Sequence, residues 1–170
     1  MTKVDIPMEK FYSDLVVYLI KENMQFMIDK IEMPKKHCTV IMVDDTILST
    51  GFNRFKTSQI AIEFGYEYGE YHSELDAIIQ VHSQIVDIPK HRLTMINFRL
   101  NRFRNLGISR PCSKCISWVN KLFGNFVYTN TFGGLTKESL ITGECHDIMS
   151  SEELREKFLP KTRQHTHAFS

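Results

Sequence analysis

The chain has 170 residues, of which 42% are apolar and 24% are charged, and its formal net charge at pH 7 is +1. This length predicts a single domain over residues 1–170 with one buried core. No apolar run approaches the roughly 18–20 residues of a membrane span, and the near-neutral charge gives no global electrostatic reason to bind nucleic acid, although it leaves room for a local basic patch.

The first predicted element is a helical segment over residues 8–32. Apolar side chains recur there at helical spacing in two offset stripes, which predicts a bend or a break near Asn23. Pro34 is expected to end this segment, because proline cannot continue a helix.

Two paired strands are predicted next. The continuous apolar run over 39–43 is typical of a strand that is buried on both faces. Asp44 and Asp45 predict a turn into a second strand over 46–52. Residues 53–71 are polar and aromatic, and we expect them to be irregular.

A helix is predicted to begin at His72, where apolar residues again recur at helical spacing, and to end before Pro89. Residues 94–100 then alternate apolar side chains with Asn97 and Arg99, which predicts a strand.

The remaining segments continue this alternation of helices and strands. Pro111 is well placed to open another helix, and short strands are predicted at 126–128 and 135–141. Residues 150–153 resemble a capping box before a short C-terminal helix, and the tail from about 160 to 170 is expected to be loose. The pattern indicates an α/β or α+β fold.

Two short motifs carry the residue types of a zinc site. His72 and Glu74 stand at the predicted start of one helix, and Cys112 and Cys115 follow Pro111 at the start of another. One His and two Cys ligands leave the fourth tetrahedral position open for water. Zinc lowers the pKa of bound water from about 15.7 to about 7, and Glu74 would take the proton. The sequence therefore predicts one catalytic Zn²⁺ per chain.

The spacing within the second motif suits a shared metal ion. Cys112 and Cys115 lie at i and i+3 on one helix face, and the N–H groups at a helix start favour their thiolate forms. The alternative is a closed structural site in which Cys38, Cys145 or His146 is the fourth ligand. We expect Cys38, beside an apolar run, to be a buried and inert thiol. Zinc ligands rather than disulfides indicate a reducing, cytoplasmic compartment.

The arrangement H-x-E…P-C-x-x-C is the signature of zinc nucleobase deaminases, and the chain resembles the cytidine and deoxycytidylate deaminase superfamily from about residue 37 to about 130. The resemblance implies a three-layer α/β/α sandwich with a five-stranded mixed sheet and a core at about 37–141. It also implies zinc ligation by His72, Cys112 and Cys115, with Glu74 as the proton shuttle. Asn53, which ends the run Gly51-Phe52-Asn53, would contact substrate. Members of the superfamily are often homo-oligomers.

The chain departs from the family pattern at several positions. Ser73 stands where alanine is usual, and we expect this to change little. Asp76 stands where free deoxycytidylate deaminases commonly have asparagine. The contexts of the cysteine motif in tRNA adenosine deaminases and in polynucleotide cytosine deaminases are both missing, which makes cytosine the expected base by elimination.

Residues around the motifs bear on the size of the substrate and leave alternatives open. A group of arginines could have one of three roles. We favour a solvated loop or a subunit contact, and the alternatives are binding of a nucleotide phosphate and binding of a polynucleotide backbone. The members of this group are Arg92, Arg99, Arg102, Arg104 and Arg110. Three tyrosines either pack the loop or form a stacking wall over the base; they are Tyr66, Tyr68 and Tyr71. Further candidate substrate contacts are Arg54, Lys56, Tyr71 and Arg110.

The favoured function is hydrolytic deamination of cytosine to uracil in a free (deoxy)cytidine nucleotide or nucleoside, by attack of zinc-bound hydroxide. The compact chain and its near-neutral charge favour this small substrate. One alternative is a cytosine or adenine deaminase acting on RNA or single-stranded DNA, and another is a non-catalytic, zinc-stabilised binding domain. We expect a homo-oligomer with no membrane partner.

Overall fold

The computed structural model describes residues 8–31, 35–56, 58–67, 70–100, 106, 107, 109 and 113–158. Within these ranges the helices are α1 (Met8–Lys30), α2 (Gln59–Glu63), α3 (Ser73–Ile85), α4 (Ser113–Leu122) and α5 (Ser151–Phe158). The strands are β1 (Lys36–Val43), β2 (Thr46–Phe52), β3 (Arg54–Phe55), β4 (Glu70–Tyr71), β5 (Leu93–Leu100), β6 (Leu106–Gly107), β7 (Asn125–Thr129), β8 (Leu135–Ser139) and β9 (Cys145–Met149). A 3₁₀ turn, Lys90–Arg92, precedes β5. Among these helices, none combines the length and the apolar character needed to span a membrane.

The main sheet is mixed and runs in the order β2-β1-β5-β7-β8-β9, with the two-residue β6 paired beside β5. Only β5 and β7 are parallel, and the other neighbours are antiparallel. The fold is therefore α/β, but the expected five strands are wrong, because six strands form this path. Strand β9 was not predicted from the sequence. Its first three residues, Cys145, His146 and Asp147, are all exposed and do not show the alternating apolar pattern of a half-buried strand.

Successive side chains of the central strands enter two different apolar clusters, as the period of two in a strand requires. Val40 and Ile96 pack in a cluster with α1, whereas Ile41 and Met95 pack in a cluster with α3 and α4. Leu154 of α5 joins the α1 cluster. Because both faces of β1 and β5 are covered, the polar side chains of Thr39, Thr94 and Asn97 are buried as well.

The predicted pair of strands at the start of the sheet is confirmed. β1 and β2 are antiparallel and joined at Asp44 and Asp45. Asp44 has a φ of 51°, a left-handed conformation that Asp tolerates better than most residues. The guanidinium of Arg92 donates to the Asp44 carboxylate at 2.7 and 3.1 Å, which ties this turn to the start of β5.

The N-terminal helix is continuous, so the predicted break near Asn23 is wrong. Asn23 lies inside α1, and its Nδ2 donates to the carbonyl of Leu19 at 2.8 Å. The buried side chains Val16, Ile20 and Met27 follow one stripe along the helix. The two stripes seen in the sequence are therefore the flanks of a single buried face. Pro34 lies outside the described residues.

The segment expected to be irregular, 53–71, contains three short elements. β3 and β4 pair with each other as a separate two-stranded sheet, and α2 lies between them in the chain. At the other end, the predicted cap of α5 is confirmed, because the Ser150 hydroxyl accepts from the Glu153 N–H at 3.2 Å. The predicted tail at 160–170 lies outside the described residues.

Close packing of α3 on β2 sets the position of the His72–Glu74 motif. A Cβ at Gly51 would lie 2.3 Å from the backbone nitrogen of Ala77 and 2.5 Å from the carbonyl oxygen of Ser73. Only glycine permits this approach. The Ser49 hydroxyl also donates to the carbonyl of Ala77 at 2.9 Å. The first turn of α3 is thereby held against the end of β2.

Candidate metal centre

The starts of α3 and α4 bring His72, Glu74 and Cys115 together. One ligand atom from each residue lies within 4.8 Å of the others, and His72 Nδ1 is 3.4 Å from Cys115 Sγ. Glu74 and Cys115 are buried and His72 is half-buried. These nitrogen, oxygen and sulfur atoms lie close enough together to hold one metal ion. Cys112 lies outside the described residues.

The residues considered for a closed site lie elsewhere. Cys38 is buried in the α1 cluster, and Cys145 and His146 are exposed on β9. Among the residues that the structure describes, none of these three belongs to a group that could hold a metal. Burial raises the pKa of the Cys38 thiol well above its ordinary value, which confirms the expectation of a buried thiol and keeps it protonated.

The buried Glu74 carboxylate is surrounded by uncharged polar groups in this part of the structure. Asn97 Nδ2 donates to Oε1 at 2.8 Å, and Ser73 Oγ lies 3.3 Å from Oε2. Glu74 is only 5% exposed, and a carboxylate this buried requires such donors. Ser73, which we expected to change little, also hydrogen-bonds to Thr39 at 2.7 Å, a contact that alanine could not make.

A short chain of hydrogen bonds ends at the sulfur of Cys115. The Tyr66 hydroxyl lies 2.6 Å from Sγ, and Trp118 Nε1 donates to the Tyr66 oxygen at 3.3 Å. The indole N–H can only donate, so the tyrosine oxygen accepts from Trp118, and the tyrosine O–H donates to the sulfur when Cys115 is a thiolate. Burial and the neighbouring Cys115 raise the pKa of Tyr66 far above its ordinary range, so it stays a donor. Its ring centroid is 4.6 Å from that of His72.

Neither sequence interpretation of Tyr66 included a hydrogen bond to Cys115. The residue was assigned either to loop packing or to a stacking wall, because aromatic residues in a polar loop indicate no particular partner. Tyr71 is also buried. Tyr68 lies outside the described residues.

Asn53, the expected substrate contact, bonds to the backbone at the start of β1. Its Oδ1 accepts from the N–H of His37 at 2.7 Å, and its Nδ2 donates to the carbonyl of Lys35 at 2.8 Å. These bonds join the end of β2 to the start of β1 and fix the amide in place. A substrate contact by Asn53 stays a prediction.

The candidate phosphate contacts lie on β3 and just after it. An Arg54 nitrogen is 3.5 Å from Asp76, and Lys56 Nζ lies 5.1 Å from the ring centroid of Tyr71. Asp76 also accepts from the N–H of Phe52 at 2.9 Å, so this departure from the family asparagine supplies a partner for Arg54. Burial, followed by the charge of Asp76, raises the pKa of Tyr71. The Arg54 side chain is 55% exposed and accessible to a further anion. Arg110 lies outside the described residues.

The described members of the arginine group do not form one patch. Arg92 precedes β5 and pairs with Asp44, whereas Arg99 lies near the end of β5. Seven residues of extended strand separate them by roughly 23 Å. Arg99 Nε is buried and makes no hydrogen bond within the described residues. Positions 102, 104 and 110 lie outside them.

His37 is a further residue close to His72, and the sequence motifs did not indicate this position. Burial, with smaller contributions from Arg99, His72 and Lys35, lowers its pKa from 6.5 to about 4. The imidazole of His37 is therefore neutral at pH 7.

Comparison with known proteins gives no family assignment. No protein-family model matches the chain, and no curated protein matches it significantly. The functional conclusion must therefore rest on the motifs and on the geometry of the candidate metal centre.

Proposed function

We propose that the protein is a zinc-dependent hydrolytic deaminase that converts cytosine to uracil in a free (deoxy)cytidine nucleotide or nucleoside. The observation that carries this proposal is the group of His72 Nδ1, Cys115 Sγ and the buried Glu74 carboxylate within 4.8 Å. We further propose a three-layer α/β/α arrangement, which the two apolar clusters on alternate strand residues support.

The donor set suits zinc. Imidazole nitrogen and thiolate sulfur are its usual protein ligands, and His72, Cys115 and the motif partner Cys112 would hold it. When bound, zinc would supply a Lewis acid that brings the pKa of a water molecule towards about 7. The Tyr66 hydroxyl would support the Cys115 thiolate from the second layer, as outer partners of metal ligands commonly do.

Glu74 is proposed as the acid/base group rather than as a ligand. The amide of Asn97 already holds one of its oxygens, Oε1, at 2.8 Å. Glu74 would take a proton from water and pass it to the ring nitrogen beside the reacting carbon, and would later help to protonate the leaving ammonia. A C–O bond forms, the exocyclic C–N bond breaks, and the products are uracil and ammonia.

A small substrate is supported by the distribution of cations. Arg54 and Lys56 lie close to the first turn of α3, through their contacts with Asp76 and Tyr71. These two side chains suit one phosphate group. Arg92 and Arg99 lie at opposite ends of β5, which gives no continuous basic track over the part of the chain that the structure describes.

A substrate panel tests this proposal. Purified protein with one zinc per chain is incubated with cytidine, deoxycytidine, their monophosphates, and single-stranded RNA and DNA oligonucleotides that contain cytosine or adenine. Uracil and hypoxanthine products are separated by chromatography. We expect uracil from at least one free compound. Turnover of oligonucleotides alone would reject the proposal of a small substrate. The absence of any turnover by zinc-loaded protein would reject the proposal that the protein is a deaminase.

A further inference from the structure

Asn97 connects the two motifs through one side-chain amide. It lies on β5 and is 2% exposed. Its Nδ2 donates to Glu74 Oε1 at 2.8 Å and to the carbonyl oxygen of Ser109 at 3.3 Å. Ser109 precedes the cysteine motif, and its hydroxyl donates back to the carbonyl of Asn97 at 2.7 Å. The amide therefore contacts both the carboxylate and the segment that leads to Cys115.

The partners of Asn97 determine which end of the amide faces Glu74. A carboxylate and a backbone carbonyl are acceptors, so both require the NH₂ group. On the other side, the Thr39 hydroxyl donates to Asn97 Oδ1 at 2.7 Å. A flipped amide would place its oxygen beside the carboxylate oxygen and lose the bond from Thr39. Because the single Thr39 proton goes to Asn97, the Ser73 hydroxyl, 2.7 Å away, donates to Thr39 Oγ1.

We propose that Asn97 is a positioning residue that fixes the orientation of the Glu74 carboxylate, and that Thr39 locks the Asn97 amide in its donating orientation. The role rests on the proposed deaminase function. With Oε1 held by Asn97, Oε2 is the oxygen that exchanges the proton with water and substrate. Neither Asn97 nor Thr39 touches the substrate in this role.

The test removes the Thr39 hydroxyl and then restores it. In zinc-loaded protein, Thr39→Val should lower kcat about ten- to a hundredfold, the usual range for outer partners of a site. The KM should change less than about threefold, because the loss falls on the chemical step. Thr39→Ser should recover most of kcat. Thr94→Val is the matched control, since Thr94 is a buried threonine of β5 that shares its strand face with Ile96, and kcat should stay within about twofold.

A second measurement does not depend on activity. The side-chain amide protons of Asn97 are followed by nitrogen-15 NMR, and their exchange with solvent should be slow in the wild type and in Thr39→Ser but faster in Thr39→Val. Zinc content should be the same in all of them. If Thr39→Val does not fold, Thr39→Ala carries the same comparison.

The outcomes separate the two proposals. A wild-type kcat in Thr39→Val, equal losses in Thr39→Ser and Thr39→Val, or unchanged exchange at Asn97 would overturn the positioning role while leaving the deaminase proposal intact. Failure of the zinc-loaded wild type on every cytosine compound would reject the deaminase proposal, and the positioning role with it.

Discussion

Replacing Tyr66 with phenylalanine should weaken zinc binding without disturbing the packing around the metal centre. The change removes a single oxygen, which lies 2.6 Å from Cys115 Sγ and 3.3 Å from Trp118 Nε1. The ring stays, and with it the contact to the His72 ring at a centroid distance of 4.6 Å. Any change in zinc affinity therefore reports on the hydrogen bond to sulfur.

The size of the effect follows from the two bonds that are lost. A hydrogen bond to a charged group contributes about 1.5–3 kcal/mol, and about 1.4 kcal/mol corresponds to tenfold in affinity. The Kd for zinc should therefore rise about ten- to a hundredfold. The buried indole N–H of Trp118 also loses its acceptor, which should lower the free energy of unfolding of the metal-free protein by about 1–3 kcal/mol.

The assay is competition for zinc against a chromogenic chelator at fixed pH. Tyr18→Phe is the matched control, because Tyr18 is 56% exposed on α1 and far in sequence from the motifs. Its zinc Kd should equal that of the wild type. An unchanged Kd in Tyr66→Phe would refute the reasoning that this hydroxyl supports the thiolate.

Three further predictions concern the surroundings of the centre. Gly51→Ala forces a Cβ to within 2.3 Å of the backbone of Ala77, so the free energy of unfolding should fall by about 1–3 kcal/mol or more in a urea titration; an unchanged midpoint would contradict the packing argument. Because the pKa of His37 falls from 6.5 to about 4 on folding, the unfolded chain binds the proton first, and stability should decrease as pH falls from about 6.5 to about 4, by up to ~3 kcal/mol. His37→Gln should make the free energy of unfolding less dependent on pH over this range. A pH dependence like that of the wild type would contradict the assignment to His37. Asn53→Ala should lower both stability, by about 1–3 kcal/mol, and turnover, with zinc content intact by metal analysis; loss of zinc would show that Asn53 has a different role.

The positions of His72, Glu74 and Cys115 could be predicted because the sequence signals around them are local. A helix start and the spacing of His72 and Glu74 are encoded within a few residues, and the same holds for the apolar run and turn that form β1 and β2. Once both helices begin at the same edge of a sheet, Cys115 is brought to His72 by topology alone.

The partners that complete the site could not be predicted, because they are distant in sequence. Tyr66 and Cys115 are 49 positions apart, and Asn97 and Glu74 are 23 apart. The alternation of apolar and polar residues around Asn97 is also typical of a strand that has one solvent-exposed face. Here β5 is central and covered on both sides, so Asn97 is buried and contacts Glu74 instead of solvent.

Two architectural errors have similar causes. The break expected in α1 came from treating the flanks of one wide buried face as two stripes, which periodicity alone cannot distinguish. Strand β9 was missed because an edge strand has few buried side chains, and only Met149 of its five residues is fully buried. Backbone pairing with β8, rather than apolar patterning, defines this strand.

The most direct test of the catalytic metal centre is product formation by Glu74→Gln beside the wild type at equal zinc content. Glutamine keeps the shape of the side chain and an oxygen for Asn97 but cannot carry the proton. The wild type should release uracil from a free cytosine compound, and Glu74→Gln should retain one zinc and lose about 10²–10⁴ in rate. Equal rates, or loss of zinc from Glu74→Gln, would contradict the assignment of Glu74 as the proton shuttle beside an open zinc site.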